Sequence, residues 1–533
     1  MRVCHRIDPV FDDPNLIGFG GLPAVMSLAE RAGLHDLVDQ HVRVPGSAGA
    51  NAAVKVAGMV AGMVVGADSI SDLDVLRHGG MGRAFTGLRA PTTLGTHLRG
   101  YRFGHVRQLD AVASRLLVNL AKVSPILAGA DRVCFVDVDD TIRETHGYAK
   151  QGVGYGYSGV KGLNAQLAII STPIAAPVIA ATRLRKGNVA SAHGAARLIS
   201  DTLATLRGVT TPALVVVRAD SAYFAHDVVA AIVQGRARFS ITARMNKAVT
   251  RAIATIDDTA WTPIRYPHAI FDEDQHTWIS DAQVAETEFT AFTSRRQADH
   301  VTARLIVRRV KRLNPNAQTQ GELLPGYRYH AVFTDTTLSL VEAEATHRDH
   351  AIIEAVIADL KDGPLAHAPS AKFTANSAWL ALAAIAFNLT RAAARIASSK
   401  LGRARTATVR RTLVNVAARV ANQARHWLLH LPRGLAMADP TRTPLRHRPQ
   451  PARCRRPLTT RPHRHDQGTP VEKPGTPAAT PCSPTESPLS PSQKHRNRHP
   501  RMRVGGSRLS RPPSDPIWKN GRTVPSEVLS FRW

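Results

Sequence analysis

Cysteine is scarce in this chain: only Cys4, Cys134, Cys454 and Cys482 occur among 533 residues. They are too scattered for zinc-ligand spacing or a disulfide framework, which fits a reducing compartment. No apolar run is read as reaching the roughly 18 residues of a membrane span. The start, Met1-Arg2-Val3-Cys4-His5-Arg6, lacks the apolar core of a signal peptide. These absences predict a cytoplasmic protein with no membrane partner. Negative charge is also short, with 41 Asp+Glu against 69 Lys+Arg, a formal net charge of +28. An excess of that size calls for a polyanionic partner.

Hydrophobic residues make up 44% of the chain, enough for a sizeable core, and the length suits two to four domains. Composition changes near residue 440. The segment 441–533 holds 17 of the 34 prolines, with 19 Lys+Arg against 5 Asp+Glu. A Pro-, Arg- and Ser-rich stretch with so little to bury cannot offset the entropy of ordering, so a disordered basic tail is expected there. It reads either as an arm that binds DNA nonspecifically or as read-through or frame-shifted sequence. His463, His465 and His495 belong to that composition and are not read as metal ligands. The first 440 residues keep +14, so the argument for nucleic acid does not depend on the tail.

Residues 1–125 read as a helical DNA-binding region. Apolar residues recur at helical spacing over 22–37, 52–65 and 106–120. Between them, Thr92-Thr93-Leu94-Gly95-Thr96-His97-Leu98-Arg99-Gly100-Tyr101, followed by Arg102 and Phe103-Gly104-His105-Val106-Arg107, suggests helix, tight turn, helix. A helix-turn-helix would bring Arg99 and Arg102 to a DNA groove. A plain helical bundle whose turn contains Gly is the alternative.

From residue 131 the rhythm changes. Strands are expected over 132–139, 165–171 and 177–184, a helix over 190–206, a strand over 213–219, a helix over 225–233 and a strand over 238–243. Three strands, helix, strand, helix, strand is the order of a ribonuclease-H-like fold. The predicted class is therefore α/β, with such a core over 126–245 and 338–398. A β-rich insertion over 246–337 interrupts it, with strands at 305–310 and 327–334, and a C-terminal helix is expected over 399–440.

Three acidic positions stand out against this frame: Asp139 in Val136-Asp137-Val138-Asp139-Asp140-Thr141, Asp220 in Arg218-Ala219-Asp220-Ser221, and Glu354 in His350-Ala351-Ile352-Ile353-Glu354. A few carboxylates plus phosphate oxygens hold hard divalent cations, and two such ions clamp an in-line phosphoryl displacement. Asp139 and Asp220 would end the first and fourth strands, which are neighbours in that sheet. Asp137 shares the side of Asp139 by the strand period of two, whereas Asp140 points away. Asp137 therefore stays open as the alternative first ligand. Asp220 has a second reading, as a cap on the next helix. His347, His350, Glu354 and Lys361 are spaced to share one face of a long helix, a strip suited to metal and phosphate or simply to solvent. The Gly152-Val153-Gly154-Tyr155-Gly156 stretch opens no helix and reads as a hairpin, so no nucleotide cofactor is expected. Trp261 and Trp278 read as strand packing, with base stacking the alternative.

Residues 131–395 resemble the catalytic domain of DDE transposases of bacterial insertion sequences, and the N-terminal helices extend the likeness to most of the first 440. Phe135 through Thr141 with Gly154-Tyr155-Gly156-Tyr157, Arg218 through Ser221, and His347 through Lys361 look most like the group numbered 1380. In the related insertion-sequence-4-like enzymes the third motif runs Tyr, Arg, Glu, Lys. His347, His350, Glu354 and Lys361 hold those places here, so both of the first two residues are replaced by histidine. The resemblance implies a metal site of Asp139, Asp220 and Glu354 holding two Mg²⁺ ions, with Mn²⁺ as a substitute. It also implies Asp followed by any residue and Thr at the first ligand, which favours Asp139, and contacts from Lys361, His347 and His350 to DNA. The expected partners are double-stranded DNA with terminal inverted repeats, target DNA and a second copy of the chain. The alternatives are an inactive DNA-binding regulator derived from a transposase and a metal-dependent nuclease of the same fold.

Overall fold

The computed structural model describes residues 8–146, 149–156, 158–311, 326–424 and 426–434. All of these lie in one unit, Met1–Ala452. Cys4, Cys454, Cys482, Tyr157 and the tail 441–533 lie outside the described residues.

The N-terminal region contains α1 (Leu22–Arg31), α2 (Leu34–His41), α3 (Ala52–Val65), α4 (Pro91–Arg99) and α5 (Phe103–Val123). The helix expected over 22–37 is two helices, because Gly33 adopts φ 82°, a left-handed conformation open to glycine, and turns the chain between them. α3 is apolar all round, as a helix enclosed by others must be. Even Lys55 is buried on it, its ammonium donating to the carbonyls of Ser47 and Ala48 at 3.1 and 3.0 Å. α4, the turn 100–102 and α5 form the expected helix, turn, helix. His97 and Tyr101 are buried at that corner, and His97 Nδ1 lies 2.7 Å from the Ala48 carbonyl.

Next come β1 (Val133–Glu144), β2 (Lys161–Ser171), β3 (Val178–Lys186), α6 (Ala195–Val209), β4 (Leu214–Ala219), α7 (His226–Gln234), β5 (Arg238–Thr242) and α8 (Lys247–Ala254). They are followed by β6 (Ala282–Ala291), β7 (Val301–Lys311) and β8 (Tyr327–Thr334). One mixed sheet runs in the order β3-β2-β1-β4-β5-β8-β7-β6, with short strands Gly154–Tyr155 on β2 and Thr262–Pro263 on β6. β1 is antiparallel to β2 and parallel to β4, and β4 is parallel to β5. β8 pairs antiparallel with β5, so β6, β7 and β8 extend the same sheet, while Ile270–Asp272 and Thr277–Ile279 form a separate two-stranded sheet.

The third-motif region is α9 (Leu340–Arg348), a 3-10 turn Asp349–Ala351, and α10 (Ile352–Lys361). Ser339 and Glu342 cap α9 reciprocally, their side chains 2.8 Å apart. α11 (Phe373–Ala397) corrects the expectation that no segment is long and apolar enough to span a membrane. Its apolar window is 89% buried inside the protein. It packs on α3, α5 and β3 as a core helix, and Asn388 bonds both the N–H and the carbonyl of Ile179 on β3 at 2.9 and 2.7 Å.

The C-terminal helix expected over 399–440 is not formed in the described part. Short helical turns Ser399–Gly402, Thr406–Val409 and Arg410–Val414 lead instead to a hairpin of β9 (Ala418–Gln423) and β10 (His426–His430). Ala418 and Val420 are buried while Arg419 faces out, the period of two of a strand.

Candidate active site

Parallel pairing of β1 with β4 runs up to Val138 opposite Ala219. Asp139 is the next residue on β1 and Asp220 directly follows β4, so the two carboxylates come together where the paired strands part. Burial pushes the Asp139 carboxyl up to about 7. The Asp140 N–H, which donates to Asp139 Oδ1 at 2.7 Å, opposes that rise, and the charge of Asp220 adds to it. Asp220 is also raised, chiefly by desolvation, against the Ala222 N–H that its side chain accepts at 3.0 Å. That bond caps the 3-10 turn Ser221–Tyr223, so the capping geometry weighed from the sequence is present as well.

Asp137 has a different setting. It is 0% exposed, and Arg218 donates to both of its oxygens, Nε to Oδ1 at 2.6 Å and an Nη to Oδ2 at 2.8 Å. Arg218 also donates to the Thr346 carbonyl at 2.6 Å and lies over the Phe135 ring at 4.4 Å. His350 Nδ1 lies 3.0 Å from Asp137 Oδ1. Asp140 is turned to the other face, in an ion pair with Arg185 and 3.4 Å from the Tyr223 hydroxyl.

The third motif does not form a single helical strip, because the turn Asp349–Ala351 breaks the register between α9 and α10. His347 is turned inward: its Nδ1 and Nε2 each lie 2.9 Å from a hydroxyl of β5, those of Ser240 and Thr242. Burial first, then the neighbouring positive groups, push it down to about 3, so the ring is neutral at working pH and both nitrogens are engaged. The charge of a protonated His350 would oppose the rise at both Asp139 and Asp220, which stay raised. Glu354 is exposed on α10. Lys361 lies within electrostatic reach of Asp139 and of Arg143, with desolvation the main cause of its lowered pKa. Arg143, at the end of β1, was not singled out by motif reading, and its buried Nε has no hydrogen-bond partner. An Arg four residues beyond Asp139 on a long strand is its only trace in the sequence.

Arg99 and Arg102 are exposed at the turn between α4 and α5, and no bond among the described residues joins them to the acidic positions. Trp261 is nearly buried beneath the Arg309 guanidinium at 4.1 Å, while Trp278 meets Phe271 edge to face at 4.9 Å.

The model of the family described as transposase DDE domain group 1 matches residues 6–447. The chain belongs to this family. No curated protein matches it. Membership makes the chain a transposase-type enzyme acting on DNA, and the match takes in both the N-terminal helices and the whole sheet. The transposase family normally uses divalent metal ions, and Asp139 and Asp220 fit such an ion. They are adjacent hard oxygen donors whose charged forms are disfavoured until something positive joins them. Among the described residues, no group of three His, Cys, Asp or Glu side chains is converged as a metal cluster.

Proposed function

We propose that this chain is a cut-and-paste DNA transposase of the bacterial insertion-sequence kind, most like the group numbered 1380, working on its DNA in the cytoplasm. The observation that carries the reading is the pair Asp139 and Asp220, which follow the last paired residues, Val138 and Ala219, of two parallel strands within a DDE-family match. The order β3-β2-β1-β4-β5, with β2 antiparallel, supports a ribonuclease-H-like core. Asp139, Asp220 and Glu354 are the proposed metal-holding residues, and Asp139 is preferred to Asp137 because Arg218 occupies both oxygens of the latter. Mg²⁺ ions, when bound, would supply Lewis-acid activation of water for cleavage and of the freed 3′-hydroxyl for joining.

The protein's own groups have distinct tasks. Lys361, within electrostatic reach of Asp139, and Arg143, within reach of Lys361, would hold the phosphates flanking the cut. Burial around Asp139 lowers the local dielectric and strengthens each such contact. Arg99 and Arg102 would meet DNA further from the cut through the α4–α5 turn. Cleavage at two inverted repeats calls for two copies of the chain, assembled on DNA.

Duplexes carrying the inverted repeats that flank the reading frame test the proposal. The wild-type chain should nick them only with Mg²⁺ or Mn²⁺ and join the ends to a target plasmid. Asp220→Asn and Glu354→Gln should each abolish nicking with DNA binding nearly intact, because each removes a charge at little change in volume. One observation favours a second reading, a DNA-binding regulator: Glu354 is exposed and outside any converged metal cluster among the described residues. Sequence-specific end binding by the wild-type chain, with no nicking in either metal, would decide for the regulator.

A further inference from the structure

We propose that the cavity between α5, α6 and β3 is a binding site for a phosphate-class oxyanion. The cavity measures about 680 Å³, and none of Asp139, Asp220 and Glu354 lines it. Four arginines do, Arg107 and Arg115 from α5, Arg183 from β3 and Arg197 from α6, against two carboxylates, Asp110 and Asp201. Three of the guanidiniums are gathered on Asp201: Arg197 Nε donates at 2.8 Å, Arg183 Nη2 at 3.0 Å and Arg107 Nη2 at 3.4 Å. Arg107 also donates to Asp110 at 3.2 Å. One carboxylate cannot neutralise three cations. Four arginines less two ionised carboxylates leave the lining an excess of two positive charges.

An unfilled donor distinguishes this place from an ordinary basic surface. Arg183 Nε is buried and has no hydrogen-bond partner among the described residues. A buried charged donor without an acceptor is costly, and native interiors rarely keep one. Burial, then the charge of Arg107, push Arg183 below its ordinary value, and an anion in the cavity would offset both. Guanidinium forks match the oxygens of a phosphate, and Arg197, 69% exposed, opens the rim to solvent. Arg107 stands in the second turn of α5, directly after the turn that carries Arg99 and Arg102. A DNA backbone reaching that turn is one source of phosphate, and a free phosphate ion is the other. Only the DNA source rests on the transposase reading above.

Isothermal titration of the full chain with inorganic phosphate, and the salt dependence of its binding to random duplex DNA, test the site. Arg183→Gln and Arg197→Gln should each weaken phosphate binding about 10-fold, the worth of one charged hydrogen bond. If DNA supplies the phosphate, each variant should also flatten the slope of log K against log salt by about 0.9. If a free anion is the ligand, phosphate binding falls while the DNA slope stays that of the wild type. Variants that match the wild type in both measurements, whether or not phosphate binds at all, overturn the site. Arg197 is exposed, so its variant decides the matter even if Arg183→Gln fails to fold. Metal-dependent nicking by the wild type is read separately, so the site can fail while the transposase reading stands, and the reverse.

Discussion

At the scale of single residues, the strongest interactions lie beside the proposed metal site. Arg218 is 1% exposed and Asp137 fully buried, so each is the other's compensation for lost hydration. Breaking a buried pair leaves an uncompensated charge and typically costs about 3–5 kcal/mol. Arg218→Met should show a loss of that order in urea unfolding, and adding Asp137→Asn should recover part of it. A single variant as stable as wild type would show that water reaches Asp137. Asp110 on α5 offers a titration test at residues apart from the proposed metal-holding ones. Burial, opposed by Arg107 and Arg183 and reinforced by Asp201, raises its carboxyl to about 6. The folded state then holds this proton more tightly than the unfolded chain, whose carboxyl titrates near ~3.9. Unfolding free energy therefore falls as pH rises from about 4 to about 6, and the penalty is complete above that window. Asp110→Asn should raise the melting temperature at pH 7.5, by the equivalent of about 1–3 kcal/mol, and change little at pH 4. A lower melting temperature at pH 7.5 would mean that the 3.2 Å pair with Arg107 outweighs burial.

At the scale of elements, backbone crowding explains features that side-chain periodicity does not. The chain leaves β3 at Gly187, where a Cβ would stand 2.1 Å from the Gly162 carbonyl oxygen and 2.4 Å from that of Gly154. Three backbone segments meet there, so the expected hairpin around Gly154 depends on a glycine on the far strand. Gly187→Ala should cost about 2–4 kcal/mol, whereas Gly104→Ala, with open space around the new methyl, should be neutral or slightly stabilising. Equal melting of the two variants would refute the crowding argument. The break between α9 and α10 is the other decisive local event. Spacing alone puts His347, His350, Glu354 and Lys361 on one face, but the 3-10 turn lets one histidine go to β5 and the other to Asp137.

At the scale of the whole molecule, charge sets how the transposase meets DNA. Half of the +28 lies in 441–533. Each phosphate neutralised releases counterions and steepens the salt dependence of binding. A chain ending at residue 440 should bind random duplex DNA more weakly and with a shallower slope of log K against log salt, at unchanged melting temperature. An unchanged slope would show that the basic tail does not touch DNA, and a lowered melting temperature would show that it supports the fold.

The strand order, the helical N-terminal region and the positions of Asp139 and Asp220 were legible in the sequence, because they depend on local periodicity and on acidic residues ending apolar runs. A strand that alternates every second residue is readable wherever it lies, and two parallel neighbours place their ends together. The division of labour among Asp137, Asp139 and Asp140 was not legible. Asp137 and Asp139 share a strand face, and only long-range partners distinguish them: Arg218 from β4, 81 residues away, and His350, 213 residues away. The fates of α11 and His347 were decided the same way. Apolarity made α11 a core helix only because α3, α5 and β3 enclose it, and His347 is neutral because burial and the positive groups around it disfavour its charged form. Burial and charge compensation are properties of what the chain brings together in space, and no local window of sequence contains them.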